Sequence, residues 1–195
     1  MIRDILKNYK VLLGSNSPRR RELLAMMDIP FEVVKFDVDE SYPANLPAAE
    51  VPLYLSKLKS KAYRPKLKDG QLLITADTVV ICDGKILGKP SNERQAVEML
   101  RTLSGRHHKV VTGVTIATPS STESFSETTE VEFDNIADDD IKYYVSKYHP
   151  LDKAGAYGIQ EWIGTVGIKG INGCYYNVMG LPTTLLHRRL PRFLQ

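Results

Sequence analysis

One aspartate is set into an otherwise apolar run in the segment Leu72-Leu-Ile-Thr-Ala-Asp77-Thr-Val-Val-Ile81. A continuous run of this kind reads as a strand buried on both faces. An ionised carboxylate in such a strand costs several kcal/mol of desolvation, by order of magnitude, unless a metal or a cation compensates it. The structural alternative is an aspartate at a strand end, holding a turn through backbone hydrogen bonds. The rest of the chain supplies the cations and further carboxylates that give the first reading substance.

Apolar stretches with strand character alternate with helical ones, which predicts an α/β fold. Tyr9 to Leu13 reads as a strand. Ser17 offers an N-cap and Pro18 the favoured first helical position for a helix over Arg19 to Met27. Phe31 to Val38 reads as a second strand, ended by Asp39-Glu40 and a loop with Pro43 and Pro47. A helix is expected over Ala48 to Tyr63. Asp83-Gly84 marks a hairpin turn into Lys85 to Leu87. Ser91 is expected to cap a helix over Glu93 to Leu103, whose Ala96, Val97, Leu100 and Leu103 share one face. Lys109 to Thr118 is expected to pair with Glu127 to Phe133 across the Ser/Thr-rich stretch Pro119 to Ser126, the best candidate for disorder or insertion. Asp138 to Tyr148 reads as a helix with an acidic first turn, residues 154 to 180 as Gly-rich with short β segments, and Thr183 to Phe193 as a closing helix.

No repeat or linker divides the chain, and 195 residues suit a single domain over 1–195, or two lobes sharing a sheet. A net charge of +3 is too small to argue for nucleic acid or a membrane surface. No apolar run approaches the roughly 20 residues of a membrane-spanning helix. The N-terminus lacks the pattern of a signal peptide, and Cys82 and Cys174 form no metal-ligand spacing. A reduced, cytoplasmic setting is therefore expected, with both cysteines as small packing residues.

Gly14-Ser15-Asn16-Ser17-Pro18-Arg19-Arg20-Arg21 lies between a strand and a helix. Backbone N–H groups at a helix start bind anions, and arginines fork onto phosphate oxygens. The plain alternative is a capped surface helix with solvated arginines, but three cations at the positive end of a helix dipole conflict unless an anion relieves them. Gly88-Lys89-Pro90 holds one lysine in a rigid frame that could aim it toward Asp77, or it is a solvated turn. It is no Walker loop, since the spacing is one residue short and no Ser/Thr follows the lysine. Asp39-Glu40 could supply a carboxylate to Mg²⁺, which accepts one or two protein carboxylates plus waters and substrate phosphates; a hydrated acidic loop fits equally. Lys57, Lys59 and Lys61 alternate, so a helix spreads them over different faces and spacing does not choose among them. His107 and His108 lack a third ligand at metal spacing and read as structural or surface residues. The segment Asp152 to Gln160 combines glycines able to wrap a ligand with an amide able to read a base edge, features equally common in turns without a function.

The blocks SNSPRRRELL (15–24), ADTVV with DGKILGKP (76–90), LSGRHHKVVTGV (103–114), DKAGAYGIQ (152–160) and NVMGLP (177–182) together resemble the Maf family of nucleotide pyrophosphatases, in family order and over nearly the whole chain. The resemblance implies a mixed central sheet with flanking helices, similar to inosine triphosphatase, and two lobes around a substrate cleft. It also implies a homodimer that hydrolyses nucleoside triphosphates to the monophosphate and pyrophosphate with Mg²⁺ or Mn²⁺. By motif position, Asp77 matches the family's catalytic aspartate, and Ser15, Arg20, Glu40, Lys59 and Lys89 match positions lining the phosphate and metal site, with Glu40 and Asp77 as the metal carboxylates. Lys59 is favoured over its neighbours because Leu55-Ser-Lys-Leu-Lys59 fits the family's Leu-Ala-x-x-Lys pattern. Arg19, Thr78 and Gln160 resemble the combination in the branch acting on dTTP and UTP. The chain departs from the pattern at Ser56, Ser60 and Glu161-Trp162.

The expected chemistry is metal-assisted attack of water on the α-phosphorus, with Asp77 as base or metal ligand. Two other classes compete. A nucleotide-binding regulator of cell division with little turnover would have no need of a costly buried base. A nucleic-acid-binding module would use the short arginine cluster without the aromatic platform such modules carry.

Overall fold

The computed structural model describes residues 2–195, apart from the side chain of Arg3. In chain order the elements are α1 (Ile2–Leu6), β1 (Lys10–Gly14), α2 (Pro18–Met26), β2 (Phe31–Val33), α3 (Val51–Tyr63), β3 (Gln71–Cys82), β4 (Lys85–Leu87), α4 (Glu93–Leu103), β5 (His107–Ala117), β6 (Thr122–Phe133), α5 (Asp138–Tyr148), α6 (Trp162–Gly167), β7 (Ile168–Asn172), α7 (Tyr175–Met179) and α8 (Thr183–Phe193). The strands form one mixed sheet in the order β2-β1-β3-β5-β6-β7, with β4 paired to β3. The alternation of elements predicts this α/β class, and the mixed central sheet with flanking helices is what the resemblance to the Maf family implies.

The chain divides into two compact units and passes from the first to the second for the first time between Asp77 and Thr78. The first unit comprises Met1–Asp77, Thr112–Glu127 and Gly180–Gln195. Here β1 pairs in parallel with both β2 (Leu12↔Glu32) and β3 (Leu12↔Leu73). Val11, Leu12 and Leu13 are consecutive and all buried, as expected of a parallel strand covered on both faces. Leu23 and Leu24 of α2 and Leu186 and Leu190 of α8 are buried apolar residues of the same unit. The backbone of α3 passes very close to β5. A Cβ at Gly113 would lie 2.3 Å from the Leu53 backbone nitrogen, so only glycine lets the helix approach.

The second unit comprises Thr78–Val111 and Thr128–Met179. Asp83 and Gly84 take positive φ (48° and 75°) in the hairpin from β3 to β4, as their dipeptide predicts. Helix α4 packs on α5. His108, Phe133 and Tyr157 meet edge-to-face in the core, with His108 Nε2 2.7 Å from the Tyr157 hydroxyl. His107 is exposed, and both cysteines are free thiols. No helix among the described residues is long and apolar enough to cross a membrane.

Several boundaries differ from the sequence reading. Strand β2 stops at Val33 rather than Val38. Val34 N–H still reaches Leu13 O at 3.0 Å, but Phe36 then leaves the ladder to pack against Gly14 and Tyr63. Glu40 therefore lies in an irregular segment instead of at a strand end. The cap of α4 is Asn92, whose side chain accepts from Gln95 N–H, whereas Ser91 donates its N–H to Gln95 Oε1. Ser17 has cap geometry without a side-chain cap bond. The stretch Pro119 to Ser126 is not a loose insertion. Strand β6 starts at Thr122, and the turn is closed by Thr118 N–H to Ser121 O and Ser121 N–H to Thr118 Oγ1. Residues 154–180 hold two α-helices and a short 3-10 turn as well as the strand β7.

Candidate active site

Strand β3 carries Asp77 at the point where its burial lapses: Leu72 to Ala76 are buried, whereas Asp77 and Thr78 are partly open. Helix α3 brings Lys59 to it. The Lys59 ammonium lies 2.6 Å from Asp77 Oδ1 and 3.2 Å from Glu40 Oε1, so one cation is shared by two carboxylates. The Lys59 and Asp77 side chains are only 12% and 14% exposed, which makes the pair hard for water to screen. Asp77 Oδ2 has no protein hydrogen-bond partner among the described residues. Of the three alternating lysines, the structure turns Lys59 toward the aspartate and leaves Lys57 and Lys61 exposed.

A chain of hydroxyls fixes α3 against β3 beside this pair. Thr75, two residues before Asp77, donates its hydroxyl proton to Ser56 O (2.8 Å), and Ser56 donates to Leu53 O (2.8 Å). With that proton committed, Thr115 must donate to Ser56 Oγ (2.9 Å) and Ser124 to Thr115 Oγ1 (2.9 Å). Ser56, a departure from the family pattern, thus has a defined place one turn before Lys59. Buried networks of this kind are rigid when every member is satisfied.

The turn between β1 and α2 supplies a second cation. Arg20 is buried, at 9% exposure. Its Nε donates to Gly180 O at 2.8 Å and its Nη1 to Ser15 Oγ at 3.0 Å. Ser15 Oγ also accepts from Ser17 N–H at 3.2 Å. Both bonds use Ser15 as acceptor, so its own hydroxyl proton is not consumed by them. Burial pulls the Arg20 pKa down, and the Asp77 carboxylate opposes that shift; Arg19 lowers it further and Glu40 raises it. Arg20 is thus within electrostatic reach of both carboxylates that share Lys59, and it stays a cation because guanidinium pKa values lie so high. Ser15, Arg20, Glu40, Lys59 and Asp77 all belong to the first unit.

Thr78, Lys89 and Gln160 belong to the second unit. Thr78 is partly open, and Lys89 and Gln160 are exposed. Gly155 N–H donates to Gly88 O at 3.1 Å, tying the Asp152–Gln160 segment to the residue before Lys89. That segment is anchored by groups the sequence did not single out. Lys153, 8% exposed, pairs with Asp152 at 2.8 Å and with Glu161 at 3.2 Å. Tyr144 donates to Glu161 Oε2 in a short hydrogen bond, and the Tyr144 oxygen accepts Gly158 N–H at 3.0 Å. The Gly180 carbonyl that orients Arg20 also escaped the sequence reading, since a backbone acceptor 160 residues away leaves no local signal.

Among the described residues no three His, Cys, Asp or Glu side chains gather into a metal cage. Two carboxylates that converge on Lys59 are nevertheless as many as Mg²⁺ or Mn²⁺ needs from a protein, since its remaining ligands are waters and phosphate oxygens. Asp77 and Glu40 therefore fit such an ion.

A family model described as Maf-like protein matches residues 10–193. The chain belongs to the Maf family. It is 52% identical over 188 residues to a dTTP/UTP pyrophosphatase of Bacteroides thetaiotaomicron, covering 96% of this chain and 97% of that protein. It is 54% identical over 193 residues to a dTTP/UTP pyrophosphatase of Porphyromonas gingivalis, covering 97% of each. In fold it resembles the Staphylococcus aureus Ham1 protein, with a TM-score of 0.52 at 18% identity over 92% of this chain and 99% of that one.

Proposed function

We propose that this Maf protein hydrolyses dTTP and UTP to the nucleoside monophosphate and pyrophosphate. The observation that carries the reading is Lys59 held between Asp77 and Glu40, with buried Arg20 in electrostatic reach of both carboxylates. The relatives at 52% and 54% identity bear that activity in their names.

In the proposed mechanism Lys59 fixes the Asp77 carboxylate through Oδ1, which leaves Oδ2 to accept the proton of a water attacking the α-phosphorus. Arg20, oriented by Gly180 O and Ser15, and Lys59 neutralise charge that gathers on the phosphates and on departing pyrophosphate. Lys89 is assigned the same role by its motif position. The Ser15 hydroxyl proton can be donated to a phosphate oxygen. Asp77 and Glu40 would hold a divalent cation, Mg²⁺ or Mn²⁺, which when bound lowers the pKa of water and screens phosphate charge. Arg19, Thr78 and Gln160 are assigned to recognition of the pyrimidine base.

The test is pyrophosphate release from a panel of nucleoside triphosphates with each metal. Faster release from dTTP and UTP than from ATP, GTP or CTP is expected. A chain that binds dTTP but releases no pyrophosphate contradicts the proposal.

A further inference from the structure

Helix α3 has a second polar face, which the Asp77 site does not use. Lys57, Ser60, Lys61 and Arg64 are spaced i, i+3, i+4 and i+7, so they form one stripe. The stripe borders a cavity of about 450 Å³ that is also lined by Thr115 and Thr122, within the size range of small-ligand sites. No carboxylate is among its lining residues.

Two serines one turn apart on this helix are treated differently. Ser56 is fully satisfied by Leu53 O and Thr115. Ser60 lines the cavity, is 2% exposed, and its Oγ has no hydrogen-bond partner. A buried hydroxyl left unpaired is costly, and such a group asks for a partner that enters the cavity. Arg64 is pinned by Nε to Thr118 O (3.1 Å) and Nη2 to Pro119 O (3.0 Å), and these bonds leave the Nη1 donors uncommitted. Lys57 and Lys61 are exposed and make no ion pair among the described residues. Thr115 already spends its proton on Ser56, so the donors left for a ligand are Ser60, Lys57, Lys61, Arg64 and Thr122.

The geometry points to a second binding site on α3 for a phosphate-type oxyanion, either inorganic pyrophosphate or orthophosphate. Three cations and two hydroxyl donors converge with no acidic group to repel the ligand. An anion there satisfies Ser60 and relieves the mutual repulsion of Lys57, Lys61 and Arg64. The site is independent of the chemistry assigned to Asp77, because Lys59 leaves this face to pair with Asp77 and Glu40.

Equilibrium dialysis with radiolabelled pyrophosphate and, separately, orthophosphate tests the site in chelator-treated buffer. Wild type is compared with the Lys57→Gln/Lys61→Gln double variant, Ser60→Ala and the charge-retaining Lys57→Arg/Lys61→Arg double variant. The Arg20 and Lys59 region is intact in all four, so differences report on the cavity alone. The double glutamine variant is expected to bind at least about tenfold more weakly or to lose one equivalent, with Ser60→Ala weakened several-fold and the arginine variant close to wild type. Whichever anion shows the larger loss is the one the cavity prefers. Circular dichroism and pyrophosphate release from dTTP check that each variant is folded. Equal stoichiometry and affinity in wild type and in the folded double glutamine variant overturns the proposal. A wild type inactive on dTTP would undo the reading of Asp77 while leaving this binding difference in place.

Discussion

Two lysines in this molecule make nearly the same contacts in different surroundings. Lys59 lies 2.6 and 3.2 Å from Asp77 and Glu40, and Lys153 lies 2.8 and 3.2 Å from Asp152 and Glu161. In each trio the lysine is 10 to 12% exposed, one carboxylate is largely buried and the other is about half open. The difference lies in the buried carboxylate's second oxygen. In Glu161 it accepts from Tyr144, whose own oxygen takes Gly158 N–H, so the charge is spent on holding a loop. In Asp77 it has no protein partner among the described residues, and buried Arg20 adds positive charge nearby. Ion-pair geometry alone therefore does not separate the two trios; the uncommitted second oxygen of Asp77 beside a second buried cation does, and the catalytic role proposed for Asp77 rests on that difference.

The comparison breaks first at the two carboxylates. Asp77→Asn is expected to cut turnover by at least about 100-fold, the lower range for losing an acid/base group, with the unfolding midpoint near wild type. Near-normal steady-state rates in that variant would put Asp77 on the structural side with Glu161.

The structural side is sharpened by pH. His108 holds Tyr157, which belongs to the segment Lys153 anchors, and burial, with a smaller contribution from His107, lowers the His108 pKa from 6.5 to about 4. The unfolded chain takes up that proton first, so the stabilisation is complete above about pH 6.5 and is lost as pH falls toward 4. The loss amounts to about 3 kcal/mol. Denaturant unfolding across this window should show the slope in wild type and a flatter profile in His108→Gln. Parallel slopes would contradict a buried neutral histidine.

Lys153→Met is expected to cost about 2 to 3 kcal/mol, below the figure for a fully buried pair because Asp152 is half open. The lysine pair separates in a double readout: Lys59→Met should lower turnover about 100-fold with a smaller effect on unfolding. Equal stability losses in both variants would erase the distinction. The smallest effect belongs to Gln160→Glu. It should change the ratio of dTTP to CTP hydrolysis by about tenfold with less effect on the best rate, and an unchanged substrate profile removes Gln160 from base reading.

What was legible in the sequence was what local forces decide. Helices α5 and α8 have the bounds their patterns predict, and α4 differs only in its cap, where Asn92 reaches Gln95 N–H and Ser91 does not. Misreadings arise where a distant partner decides. Ser and Thr from 119 to 126 look like loop, yet Ser124 finds Thr115 on the neighbouring strand and the stretch becomes sheet. The apolar alternation runs on past Val33, but Phe36 finds better packing against Gly14 and Tyr63 than the ladder offers. The same holds at the site. A charged side chain in a buried strand was visible as an anomaly at Asp77, whereas only the folded chain selects Lys59 from three lysines, and only there does Glu161 acquire Lys153 and Tyr144.

Hydrolysis of dTTP in water enriched in oxygen-18, with mass analysis of both products, tests attack at the α-phosphorus most directly. One labelled oxygen in thymidine monophosphate and none in pyrophosphate is the expected result. Label in the pyrophosphate, or sequential release of orthophosphate, would contradict the account.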